Sequence, residues 1–216
     1  MIRGDERHTM EKLIAITFDD GPNVQITPKV LDILEEYEAP ASFFLVGEQI
    51  TEETIPIVQR EIDMGFDIGN HSFTHGHMDQ MPIEETLDEL RRTEERIKAL
   101  TGKDSVFFRP PFFDYNDEML EKVDFCFITG QACEDWDPEV TRQQRIEKIM
   151  TQACDGAIVL LHDLHYNDIT VSLLGEVIDR LRDEGYRLVT LTELFANKGV
   201  NPKGAEVRGK VYEVVP

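Results

Sequence analysis

Leu13-Ile14-Ala15-Ile16-Thr17-Phe18, followed at once by Asp19-Asp20-Gly21-Pro22, decides how the rest of the chain is read. The first six residues are apolar or β-branched, contain no Gly or Pro, and predict a strand. The next four change character abruptly. Two carboxylates stand side by side, Gly21 allows a tight exit, and Pro22 stiffens it.

Downstream, short apolar runs alternate with runs of helical spacing. Thr27–Tyr37 has Val30, Leu31 and Leu34 at helical intervals. Ala41–Val46 reads as the next strand. Glu52–Met64 carries Ile55, Val58 and Ile62, and Asp67–Gly69 is a minimal strand. Ile83–Leu100 is a long amphipathic helix with Leu87, Leu90, Ile97 and Leu100 on one face. Val106–Phe108, Phe125–Ile128 and Ala157–Leu161 predict strands, while Arg142–Ala153 and Val171–Glu184 predict helices. Arg187–Leu191 is the last strand and Thr192–Ala196 a short helix. Such alternation implies a parallel sheet with right-handed crossovers. About seven units fit a distorted or incomplete β/α barrel of seven parallel strands better than the alternative, an open doubly wound sheet. The expected organisation is an extension over residues 1–12, one catalytic domain over 13–196, and a tail over 197–216 that packs across the barrel or frays.

Composition narrows the function classes. The 216 residues include 41% hydrophobic and 30% charged residues, enough for one sizeable core under a solvated surface. Twenty-two Lys and Arg stand against 43 Asp and Glu, a net charge of −21. That field repels phosphate backbones and anionic membranes, so neither nucleic acid nor membrane is an expected partner. A neutral sugar polymer meets no such repulsion. Met1–Lys12 has no apolar secretory core, which predicts a cytoplasmic protein or a trimmed form of an exported one. The three cysteines, Cys126, Cys133 and Cys154, suggest neither a disulfide framework nor a zinc knuckle.

The polar motifs sit at predicted strand ends, which in a β/α barrel face the active-site mouth. Asp19 and Asp20 repel each other unless a cation or proton lies between them. One can ligate a metal while the other stays free as a base. His71-Ser72-Phe73-Thr74-His75 spaces two histidines by four residues, and on one helical turn their imidazoles project to the same side. Two His and one Asp leave coordination positions open for water and substrate. His77, two residues on, faces elsewhere on such a turn. Arg109-Pro110-Pro111-Phe112 ends another strand, where Arg109 can hold a buried carboxylate by a bidentate contact. Glu134-Asp135-Trp136-Asp137 contains the only tryptophan, either core or a flat wall against a sugar. Leu160-Leu161-His162-Asp163 ends an apolar strand with an imidazole suited to donating a proton near neutral pH.

Together and in this order, the five segments resemble the polysaccharide deacetylase family, carbohydrate esterase family 4. Its motifs T-F-D-D-G, H-[ST]-x-x-H, R-x-P-[YF], D-x-x-D-W and L-x-H are similar to Thr17–Gly21, His71–His75, Arg109–Phe112, the partial Asp135-Trp136, and Leu160–His162. The resemblance runs from about Leu13 to Phe195. It implies a distorted β/α barrel that removes acetyl groups from an acetylated carbohydrate, working as a monomer with one divalent ion, zinc or cobalt. It implies Asp20, His71 and His75 as metal ligands, Asp19 as general base and Arg109 as its positioning partner. It implies His162 as general acid, tuned by Asp135. Trp136 and Leu160 are implied as the acetyl pocket, with Pro111 and the Phe112 backbone N–H also at the substrate.

Two departures bear on the substrate. Phe112-Phe113 stands where many N-acetylglucosamine deacetylases have Tyr-Gly, and Ala132 stands where the fourth motif has its first Asp. The Arg109–Pro111 segment, Asp135-Trp136, Leu160–Asp163 and Leu191–Phe195 are similar to the acetylxylan esterase branch. O-acetyl xylan is therefore the favoured substrate. N-acetylglucosamine polymers are the alternative, and a carbohydrate-binding barrel without catalysis is a remote one.

Overall fold

The computed structural model describes residues 11–216. The extension expected over residues 1–12 falls almost wholly outside the described residues, and Lys12 already belongs to a strand. The described residues form nine strands: β1 (Lys12–Asp19), β2 (Ser42–Leu45), β3 (Asp67–Asn70), β4 (Phe107–Phe108), β5 (Cys126–Ile128), β6 (Gln131–Ala132), β7 (Ala157–His162), β8 (Tyr186–Leu188) and β9 (Val211–Tyr212). The helices are α1 (Thr27–Glu36), α2 (Ile55–Asp63), α3 (Ile83–Thr101), α4 (Asp117–Lys122), α5 (Arg142–Gln152), α6 (Asp168–Asp183) and α7 (Leu191–Asn197).

The sheet runs β6-β7-β1-β2-β3-β4-β5-β9, and β8 also pairs with β1. All these pairings are parallel. β1 is the hub. Its Ile14–Asp19 stretch pairs with β7, while Lys12–Ile14 pairs with β8 and Thr17–Asp19 with β2. The curled parallel sheet with outer helices is the barrel that the alternation implies.

Two strands and one helix have no counterpart in the sequence reading. β6 and β9 are only two residues long, too short to show a period. α4 has six residues and starts from an Asn116 cap that accepts the Met119 N–H. The last long strand ends at Leu188, and Leu191 begins α7 instead, because Thr190 and Glu193 form a capping box there. After residue 197 the chain returns to the barrel: β9 lies on β5, and Val214 bridges antiparallel to Ala157.

Alternation along β1 sorts the core. Ile14, Ile16 and Phe18 face Val30, Leu31 and Leu34 of α1 and Leu173, Leu174 and Val177 of α6. Leu13 and Ala15 face inward with Phe44, Phe107, Ile158 and Phe195. The period of two therefore places Thr17 and Asp19 on the inner side too. Among the described residues, no helix is long and apolar enough to cross a membrane.

Candidate active site

Asp19 is the last residue of β1 and is 2% exposed. Its Oδ1 accepts a hydrogen bond of 2.6 Å from Arg109 Nη1, and its Oδ2 lies 3.6 Å from His71 Nε2. Arg109 is fully buried, stacked over the Phe44 ring at 4.2 Å. Its contact with Asp19 uses one nitrogen, which corrects the bidentate expectation. Nε and Nη2 turn to the carbonyl of Thr129, and Nη1 also reaches Thr17 Oγ1 at 2.9 Å. The guanidinium thus ties β1 to the end of β5, with only one corner left for the carboxylate.

Asp20 leaves β1 in a left-handed conformation, φ 73°, which Asp tolerates better than most residues. Gly21 is needed for space. A Cβ there would lie 2.4 Å from Asp163 Oδ2. Asp163 is fully buried beneath this turn and accepts a hydrogen bond from Thr27 Oγ1. Burial pushes its carboxyl up to about 7, against that hydrogen bond.

The two histidines do not share a helical turn. Residues 71–77 form an irregular loop after β3, with Ser72 and His75 left-handed at φ 62° and 59°. The loop folds this way because its polar groups find partners other than a helix. Asn70 Oδ1 takes the Ser72 N–H at 3.0 Å, Ser72 Oγ takes the His75 N–H at 3.0 Å, and Glu89 of α3 takes the amides of Phe73 and Thr74. Both imidazoles still reach Asp20. Its Oδ1 lies 2.9 Å from His75 Nε2 and 3.4 Å from His71 Nε2.

This donor set suits a divalent cation. One carboxylate oxygen and two imidazole nitrogens lie within 4.8 Å of one another. Asp20 Oδ1 is buried but makes no well-directed hydrogen bond among the described residues, although both ring nitrogens approach it. His71 Nδ1 donates to the Arg109 carbonyl at 2.6 Å, which turns Nε2 toward Asp20. Burial works to raise the Asp20 carboxyl, but His71 and His75 outweigh it and hold it well below the usual carboxylate range. A mixed nitrogen and oxygen set of this kind fits zinc or cobalt.

The opposite side of the cavity is built on β7. His162 Nδ1 lies 2.7 Å from Asp135 Oδ1, so its Nε2 is left for other partners. Asp135 is 2% exposed, and its Oδ2 accepts from His162 N, Asn167 Nδ2 and Thr170 Oγ1 at 2.7, 3.1 and 2.7 Å. Burial works to lower the imidazole, but the Asp135 charge prevails and lifts His162 to about 9. The edge of the Trp136 ring meets His162 at 5.1 Å.

Asp19, Asp20, His71, His75 and His162 line one cavity of about 470 Å³, walled by Pro110, Phe112, Phe113, Trp136, Leu160 and Leu164. Pro111 is buried and does not line this cavity, whereas its neighbour Pro110 does. Phe112 is 57% exposed, meets His75 edge-on at 4.8 Å, and stacks on His77 at 4.2 Å. His77, set aside in the sequence, is therefore at the rim, paired with Asp114. Phe112 and Phe113 are both left-handed, φ 58° and 59°, so a phenyl occupies a conformation that glycine adopts freely. A larger hollow of about 700 Å³, bordered by Lys98, Lys103, Asp104 and Lys203, contains none of these motif residues.

Residues 6–129 match the polysaccharide deacetylase family model. The chain belongs to the polysaccharide deacetylase family. This polysaccharide deacetylase chain is 43% identical, over 89% of its length, to a bifunctional xylanase/deacetylase of Pseudobutyrivibrio xylanivorans, covering 32% of that protein. It is 33% identical, over 87% of its length, to the peptidoglycan-N-acetylglucosamine deacetylase PgdA of Listeria monocytogenes, covering 40% of it. The chain thus spans less than half the length of either relative. A solved family 4 acetyl xylan esterase from Clostridium thermocellum, in complex with a cobalt ion, superposes with a TM-score of 0.90 at 35% identity. That match covers 95% of this polysaccharide deacetylase and 100% of the esterase chain.

Proposed function

We propose that the chain is a metal-dependent carbohydrate deacetylase that preferentially removes O-acetyl groups from xylan. The observation that carries this reading is the convergence in one cavity of the Asp20, His71, His75 donor set, the Arg109-held Asp19, and the Asp135-held His162.

Asp20, His71 and His75 hold a divalent ion. When bound, it supplies polarisation of the acetyl carbonyl and a more acidic water. Asp19 removes a proton from the attacking water, with Arg109 fixing the carboxylate's position. The new carbon–oxygen bond forms at the acetyl carbon, and the Phe112 N–H is the backbone donor assigned to the developing oxyanion. His162, protonated through Asp135, gives its proton to the sugar oxygen as the bond to the acetyl carbon breaks. Acetate and a free hydroxyl result. Trp136 and Leu160 enclose the acetyl methyl, and Pro110 continues that wall.

The xylan preference is supported by the xylanase/deacetylase relative and by the acetyl xylan esterase neighbour. Phe112 and Phe113 agree with it, since they present apolar rings where a hydroxyl and a glycine suit the N-acetyl sugar. The peptidoglycan deacetylase relative favours a second reading, hydrolysis of N-acetylglucosamine amides. The test is acetate release from acetylated xylan and from chitin oligomers in parallel, with apo-protein reloaded with zinc or cobalt. Release from acetylated xylan alone is expected. Release from chitin oligomers alone overturns the ester preference, and release from neither with metal bound overturns the deacetylase reading.

A further inference from the structure

The loop between His71 and His75 has no regular hydrogen bonding of its own, yet it must hold two imidazoles at a fixed spacing. Both of its left-handed residues, Ser72 and His75, border the Phe73-Thr74 pair. One carboxylate oxygen, Glu89 Oε2 of α3, accepts the Phe73 N–H at 3.0 Å, the Thr74 N–H at 2.7 Å and the Thr74 hydroxyl at 2.9 Å. Glu89 is only 6% exposed. Its other oxygen lies 3.7 Å from Arg92 Nη1.

The same helix face grips the Phe73 ring. The guanidinia of Arg92 and Arg96 stack over it at 3.6 and 4.7 Å. Arg96 also donates to the carbonyls of Gly47 and Ile50 at 2.7 and 3.0 Å. Gly47 N–H in turn donates to Ser72 O at 2.9 Å. A Cβ on Gly47 would meet Phe73 Cδ2 at 2.6 Å and Thr93 Oγ1 at 2.3 Å, so no slack separates loop, helix and β2 exit.

We propose that Glu89 is a positioning residue for the metal cradle, holding the centre of the His71–His75 loop so that both Nε2 atoms reach Asp20. The inference rests on the reading of Asp20, His71 and His75 as ligands. Glu89 touches neither imidazole. It acts through the backbone between them, as outer partners of metal ligands commonly do.

The test measures zinc affinity by competition with a chromogenic chelator, alongside the melting temperature of the zinc-free protein. It compares the wild type with Glu89→Ala, Glu89→Gln and Glu94→Ala. Glu94 lies on the same helix but holds Ser105 N and Oγ, away from the histidine loop. Zinc affinity is expected to fall about 10- to 100-fold in both Glu89 variants. Glu94→Ala is expected to lose melting temperature while binding zinc as the wild type does. Exchange of the Phe73 and Thr74 amide protons is expected to speed up in Glu89→Gln. Wild-type zinc affinity in a folded Glu89 variant overturns the proposal, as does an equal loss in Glu94→Ala. If Glu89→Ala does not fold, Glu89→Gln decides by the same comparison. A wild type that binds no zinc overturns the ligand reading itself, a result distinct from failure of Glu89's role alone.

Discussion

Asp19 and His162 are direct partners in the parallel ladder between β1 and β7. The proposed base and the proposed acid therefore sit side by side on paired backbone. Each is then fixed by a buried partner, Asp19 by Arg109 and His162 by Asp135.

The His162–Asp135 pair is expected to set an alkaline limit on activity. Below about pH 9 the imidazolium form of His162 dominates, and it is lost as pH rises through that value. A reaction that needs His162 as acid therefore loses kcat above about pH 9. In Asp135→Asn the charge that lifts the imidazole is gone. The limb is expected to move down toward the ordinary imidazole value, near ~6.5. A pH profile of kcat checks this, and an unmoved limb would show that another group sets it.

Metal binding and turnover are expected to come apart at neighbouring residues. His71→Ala should lose zinc and activity together. Asp19→Asn should keep zinc and lose kcat by roughly 10²- to 10⁴-fold, the usual contribution of a general base. Metal content by atomic absorption, read beside acetate release, distinguishes the two. Equal zinc loss in both variants contradicts the assignment.

Arg109 is expected to matter for stability as well as turnover. Arg109→Met leaves the Asp19 carboxylate buried without its charged partner and removes the tie to Thr129. The expected loss is about 3–5 kcal/mol, typical of breaking one side of a buried pair. Urea unfolding followed by fluorescence measures it. A loss below ~1 kcal/mol would mean that water reaches Asp19 in solution.

Glu61 is the opposite case. It is fully buried on α2, neither oxygen has a hydrogen-bond partner among the described residues, and burial pushes its carboxyl well above the usual range. A carboxyl raised in the folded state weakens the fold above its unfolded value and not below it. Glu61→Met, similar in size and apolar, should stabilise by about 1–3 kcal/mol at pH 7. The part of that gain due to ionisation should vanish near pH 4, and the part due to the unpartnered carboxyl should remain. Thermal melts at the two pH values test the sign, and a pH-independent gain would point to packing rather than charge.

Much of the barrel was legible because each buried strand and helix carries its own apolar period. Leu13–Phe18, Ala157–Leu161 and the Ile83–Leu100 stripe are examples. The two-residue strands β6 and β9 were not, since pairing alone defines them. The motif residues that share the cavity stand out because their types and order are unusual together. What escaped was their support. Glu89 looks like any solvent-facing glutamate within a charged helix, and no local signal says that it turns inward to a loop sixteen positions earlier. The helical-turn reading of His71–His75 failed for the same reason: spacing of four fits a helix, but Asn70, Ser72 and Glu89 satisfy the backbone differently. Asp163 and Thr27, packed under Gly21, come from segments 136 positions apart.

The hub position of β1 has a consequence for folding kinetics. The bond from Thr17 to Val159 spans 142 positions, so the chain must close a very long loop before β7 can settle on its neighbour. Contacts of this range make folding slow and highly cooperative, because loop-closure entropy is lost before the contacts form. Asp20, His71 and His75 lie within the first 75 residues, whereas Asp135 and His162 arrive from the last two-fifths of the chain. Assembly of this mouth therefore waits on a closure of more than a hundred positions, and a chain stalled before it holds the proposed cation ligands but not the proposed proton donor.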